Sequence, residues 1–129
     1  MSFNWPHFLK ISRLLSKYAT NPKLHPDMKE AAYRCAVSRA YYSAFGYSFD
    51  YAEDMLSYPA LHDGRDHYFL REWYKKKNFP EIKRKLLNLW KMRKECDYNA
   101  FINNVDVKAE GSIQLANEII EKIDYLNQH

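Results

Sequence analysis

A chain of 129 residues lies within the usual span of one domain and can bury a single core without disulfides or a metal to hold it, so one domain over residues 1–129 is expected. Apolar residues make up 47% and aromatics 16%, with 11 tyrosines whose hydroxyls need partners, while only 3 glycines and no Pro/Ser/Gly tract exclude a low-complexity linker. The net charge of +4 is modest but uneven, because Lys75, Lys76, Lys77, Lys83, Arg84, Lys85, Lys91, Arg93 and Lys94 face a single acid, Glu81, whereas 50–66 leans acidic. Such segregation suits an anionic partner such as a nucleic-acid backbone; a solvated helix face is the plain alternative.

In chain order, Phe8, Ile11, Leu15 and Tyr18 recur at three- and four-residue steps until Asn21-Pro22 and His25-Pro26 break the pattern, which predicts a first helix over 5–19. A longer helix is predicted from Asp27, as N-cap, to about Leu56, with Gly46 its one weak point. Its middle is apolar on nearly every side, the mark of a helix at the centre of a bundle. A third helix is predicted over 66–77, with Leu70, Trp73 and Tyr74 on one side, and a fourth over 80–97, with Ile82, Leu86, Leu89 and Trp90 as its stripe. The last helix follows a loop at 99–105, with Asp106 as N-cap and Ile113, Ala116, Ile119, Ile120, Ile123 and Leu126 as the buried face. No segment alternates as a strand, so the expected fold is all-α, an up-and-down bundle of four to five helices. There is no internal repeat, and a helix-turn-helix reading is weak because the helix pair flanking Asn78 is joined without the usual glycine.

Cys35 and Cys96 fall on different predicted helices outside any metal-binding spacing and read as free thiols. The N-terminal MSFNWPHFLKI lacks a charged region followed by an apolar one, and no apolar run is long enough to span a bilayer, so a cytoplasmic location and no membrane are expected.

Two places set polar groups in register with core stripes. Arg39 stands in the aromatic segment SRAYYSAF, on the face of Tyr42 and Ser43. Arg93 continues the fourth helix's stripe in WKMRKECDYN, where Asp97, four residues on, can hold its guanidinium, and Tyr98 follows. Two cations and one carboxylate on adjacent helices leave a surplus positive charge, and phosphate matches arginine's planar fork. The plain alternative is a structural network fixing helix two against helix four.

The pairing of SRAYYSAF in a long second helix with R-x-x-x-D-Y before the last helix resembles a prokaryotic subfamily of HEPN (higher eukaryotes and prokaryotes nucleotide-binding) domains, over about 5–127. The resemblance implies RNA binding or ribonuclease activity in toxin–antitoxin, phage-defence or RNA-processing systems. In active members an arginine and a histidine four to six positions on form the motif, and two protomers join their motifs into one site that needs no metal. Here the motif arginine is Arg93, and Tyr98 occupies the histidine's place. Tyrosine, with a pKa near 10, is a poor proton acceptor at neutral pH.

The function expected is therefore an RNA-binding HEPN domain acting as a homodimer, with metal-independent endoribonuclease activity left open by Tyr98. The expected site comprises Arg39, Arg93, Asp97 and Tyr98, with Lys83, Arg84, Lys91, Lys94 and Tyr42 holding RNA, and no cofactor or metal is implied. Two alternatives stand beside it: an inactive adaptor for a nucleotidyltransferase or other effector, and a nucleotide-binding sensor. His62 and His67 would replace the missing base if their loop folds over Arg93; surface histidines are the plainer reading, and their spacing of five argues against a shared zinc. Tyr41, Tyr42, Phe45 and Phe49 read as core before they read as base-stacking rings. Trp5, Trp73 and Trp90 are the rings that would form a partner-covered patch if exposed.

Overall fold

Proline starts three of the helices, at the position where its fixed φ and missing N–H cost nothing. The computed structural model describes residues 3–129 and contains α1 (Pro6–Tyr18), α2 (Pro26–Met55), α3 (Asp66–Lys76), α4 (Pro80–Tyr98) and α5 (Val105–Gln128), with no strand among the described residues. The fold is an all-α bundle of five helices, and none of them is long and apolar enough to cross a membrane. Two caps differ from expectation. His25 caps α2, its Nδ1 accepting the Asp27 backbone N–H at 3.1 Å, so Asp27 sits in the first turn, where the positive end of the helix dipole favours its charge. Asn104, in the left-handed region at φ 55°, precedes α5 and leaves Asp106 in that helix's first turn.

The central helix is α2, which packs against all four others. Small residues on it, including Ala36, Ala40, Ala44 and Ala52, are fully buried and let its neighbours approach closely. Tyr41, Leu70, Tyr74, Leu86, Leu89 and Ile119 fill the core around them. The Tyr74 hydroxyl donates to the Ser48 carbonyl at 2.7 Å, which satisfies it in the interior.

On α1 the apolar stripe and the buried face are different surfaces. Leu9, Ser12, Ser16 and Ala19 are buried, while Ile11 and Tyr18 are exposed and Leu14 is 65% exposed. Ser12 donates to the Ala36 carbonyl at 2.5 Å and Ser16 to Glu110 at 2.9 Å, so small hydroxyls bring α1 onto α2 and α5 where bulky residues would hold it away. The three tryptophans, in contrast, are half-buried. Trp5 donates to Asp50 at 3.1 Å, Trp73 donates to the Leu56 carbonyl at 2.9 Å, and Trp90 lies beneath two cations.

Arg34 joins α2 to the far end of α4. It donates to the carbonyls of Cys96, Asn99 and Ala100 at 3.0, 2.7 and 3.2 Å, filling acceptors that a helix C-terminus leaves open and placing a cation at the negative end of its dipole. Both cysteines are free; Cys96 is buried, which pushes its thiol up to about 11.

Candidate functional site

The loop between α2 and α3 is organised by one carboxylate. Asp66 is buried at the start of α3 and accepts from the Tyr58 hydroxyl at 2.6 Å and from the backbone N–H groups of Leu61 and Asp63 at 3.0 and 3.1 Å. Burial pushes its carboxyl up, but these donors outweigh it and hold the group below its usual range. The next residue, His67, is thereby set against α2, its ring stacked on Phe45 at 4.4 Å and on Tyr41 at 5.6 Å.

The Tyr41 hydroxyl and His67 Nδ1 are 2.5 Å apart. Tyr41 is 1% exposed, and burial raises its pKa far above the ordinary value, so it remains a donor. The hydroxyl donates to Nδ1 when the imidazole proton is on Nε2, and in the other tautomer Nδ1–H donates to the hydroxyl oxygen. The pKa of His67 is lowered by desolvation first, then by the charges of Arg93 and Arg71, with Lys94 adding and Asp66 opposing. The ring is neutral at pH 7.

Around this pair stand three cations. Arg93 donates from Nε to Asp97 at 2.8 Å, and its guanidinium carbon lies 5.2, 5.8 and 5.9 Å from the ring centres of Tyr42, Tyr98 and Tyr41. Arg71, 7% exposed, lies 5.0 Å from the Trp90 ring centre and 6.0 Å from that of Tyr68. Lys94 lies over Trp90 and Tyr98 at 5.4 and 5.0 Å. Among the described residues, neither Arg71 nor Lys94 has a carboxylate within ion-pair distance. Of the three positive charges only Arg93 is paired, with Asp97, while Arg71 is nearly buried, where unpaired charge is costly, and Lys94 is exposed. A guanidinium near an aromatic ring keeps N–H groups that can donate to an oxyanion, those of Arg93 being the ones other than the Nε–H that Asp97 accepts.

Of the expected site residues, Arg93, Asp97, Tyr98, Lys94 and Tyr42 come together here. Arg39 does not: it is exposed, with its guanidinium 5.3 Å from the Phe8 ring centre, because Ala31, Cys35 and Arg39 form the one solvent-facing stripe of α2. The second guanidinium beside Arg93 comes instead from α3, as Arg71. Lys83 is engaged by Glu72 at 2.6 Å, an ion pair between α3 and α4, and Lys85 by Glu118 at 3.2 Å, while Arg84 and Lys91 are exposed on α4. Arg71, absent from the expected site, carries the same sequence signal as Arg93: it stands three residues before the core residue Tyr74 and four after His67. No family model, curated protein or solved structure matches this chain.

The depressed His67 pKa has a consequence for stability. Because the folded protein binds this proton less readily than the unfolded chain, the contribution is fully present above the unfolded value of about 6.5 and is lost as pH falls through the folded value. Urea midpoints of the wild type are expected to fall between pH 7.5 and 5, and those of His67→Gln, which keeps an acceptor for Tyr41, to fall less. Parallel midpoints for the two proteins would remove His67 as the source.

Proposed function

We propose that this chain is an RNA-binding domain of the HEPN kind that holds backbone phosphates on Arg71, Arg93 and Lys94. The observation that carries the reading is the surplus of positive charge packed on aromatic rings where α3 and α4 meet α2. Phosphate is the anion that fits paired guanidinium forks, and the resemblance in SRAYYSAF and R-x-x-x-D-Y points to RNA as its source. On the same resemblance the working form is a cytoplasmic homodimer in a defence, toxin–antitoxin or RNA-processing system.

A second reading, metal-independent endoribonuclease, is favoured by His67, an imidazole beside Arg93 where the motif position itself holds Tyr98. In its other tautomer, with Nδ1–H donating to Tyr41, His67 has a free Nε2 that can take the 2′-hydroxyl proton. The 2′-oxygen then attacks phosphorus as the bond to the 5′-oxygen breaks, the departing 5′-oxygen takes a proton from water, and the products are a 2′,3′-cyclic phosphate and a 5′-hydroxyl. Arg71 and Arg93 stabilise the charge that develops on the phosphoryl oxygens.

The test is binding and cleavage of mixed single-stranded RNA in EDTA across a salt series. The wild type is expected to bind in a salt-dependent way, and Arg93→Ala to lose about tenfold or more in affinity, with a salt slope shallower by about one unit. Cleavage that disappears in His67→Ala supports the second reading, and binding without cleavage leaves the first. Absence of both sets the proposal aside.

A further inference from the structure

Tyr42, Phe45, Gly46, Phe49 and Asp50 recur at three- and four-residue steps along one side of α2. That side is covered incompletely. Trp5 closes one end, the loop carrying His62 and the start of α3 carrying His67 close the other, and a cleft of about 380 Å³ remains between them. Its walls are the rings of Trp5, Tyr42, Phe45, Phe49, His62 and His67. Aromatic residues that only fill the core, such as Tyr74, are sealed from solvent, whereas Tyr42, Phe45 and Phe49 keep part of their surface open.

Two residues that line the cleft also neighbour the cation cluster. Tyr42, one of its walls, lies under the Arg93 guanidinium, and His67, another, feels the charges of Arg93, Arg71 and Lys94. The carboxylates along its lining are already engaged: Asp63 pairs with Arg65 at 2.8 Å, Asp66 is buried on its three donors, and Asp50 accepts from Trp5. A negatively charged group is drawn to the cations, while the aromatic lining offers flat apolar surface to an uncharged ring.

Resting on the RNA-binding reading above, we infer that this cleft receives one unstacked nucleobase, whose own phosphate lies on Arg71, Arg93 and Lys94. Single-stranded RNA is commonly held in this way, bases on aromatic side chains and backbone on cations. Every base has a π-face, so the site is tolerant of sequence.

The experiment displaces a fluorescent single-stranded oligonucleotide from the full chain with adenosine 5′-monophosphate or with ribose 5-phosphate, which differ by the base. The nucleotide is expected to compete at least about fivefold better, the lower end of what stacking on an aromatic ring contributes. Phe49→Leu and the surface variant His62→Ala are expected to shrink that advantage and leave competition by ribose 5-phosphate unchanged, with circular dichroism confirming the fold of each. Equal competition by the two ligands, or an advantage that survives in both folded variants, overturns the cleft while salt-sensitive, Arg93-dependent oligonucleotide binding still supports the parent reading. No oligonucleotide binding overturns both.

Discussion

An Arg71→Leu variant is expected to fold more stably than the wild type and to bind RNA more weakly. Arg71 is a nearly buried cation with no carboxylate partner among the described residues, and its pKa is lowered, chiefly by desolvation. The rings of Trp90 and Tyr68 return about 0.5–2 kcal/mol through cation–π attraction, whereas removing an ion from water costs several kcal/mol even after relaxation. Desolvation wins, and leucine in the same place should raise stability by on the order of 1–2 kcal/mol in a urea melt. Added phosphate reverses the ranking. An anion that binds the folded state stabilises the wild type by about 2.7 kcal/mol at a hundredfold excess over its dissociation constant, and the variant by much less. Melts in phosphate and in chloride of equal ionic strength separate this linkage from screening. A variant that is less stable than the wild type yet keeps the phosphate response would show that Arg71 is structural.

The second large effect is expected at Gly46. In an exposed helix interior, glycine to alanine gains about 1 kcal/mol. Here a Cβ would lie 2.1 and 2.2 Å from Cδ2 and Cε2 of Trp5, atoms near the root of a ring that is also tied to Asp50 by its indole N–H. The ring cannot simply swing aside, so Gly46→Ala should cost about 1–3 kcal/mol by overpacking, read as a lower thermal midpoint. Combining it with Trp5→Leu should restore part of the loss, giving a favourable coupling between the two sites. An alanine variant as stable as the wild type would mean that Trp5 does not rest on α2 as described.

Much of this architecture is legible from periodicity. The five helices, their order, the centrality of α2 and the buried faces of α3, α4 and α5 follow from apolar spacing and from prolines at helix starts. What periodicity misses has identifiable causes. On α1, bulky apolar residues mark the outer face, because the inner one is built from Ser12 and Ser16 whose hydroxyls find partners on neighbouring helices. On α2, Ala31 and Cys35 disguise the solvent stripe that ends at Arg39. The site was half legible. Arg93, Asp97, Tyr98, Lys94 and Tyr42 are local to two segments, whereas Arg71 and His67 join them only through the crossing of α3 over α4 and α2, a tertiary relation that helical spacing within one segment does not encode. His67 was foreseeable as a condition on its loop, and Asp66, with its three donors, is the group that meets it.

Arg34 grips three carbonyls in and just beyond the last turn of α4, and that grip sets how the neighbouring side chains move. A helix end normally frays on its own, yet here the turn bearing Asp97 and Tyr98 is moored to the longest helix by a guanidinium. Asp97 therefore meets Arg93 in a fixed pose until the seam between α2 and α4 parts, so the local rigidity of the site is inherited from the global stability of the bundle.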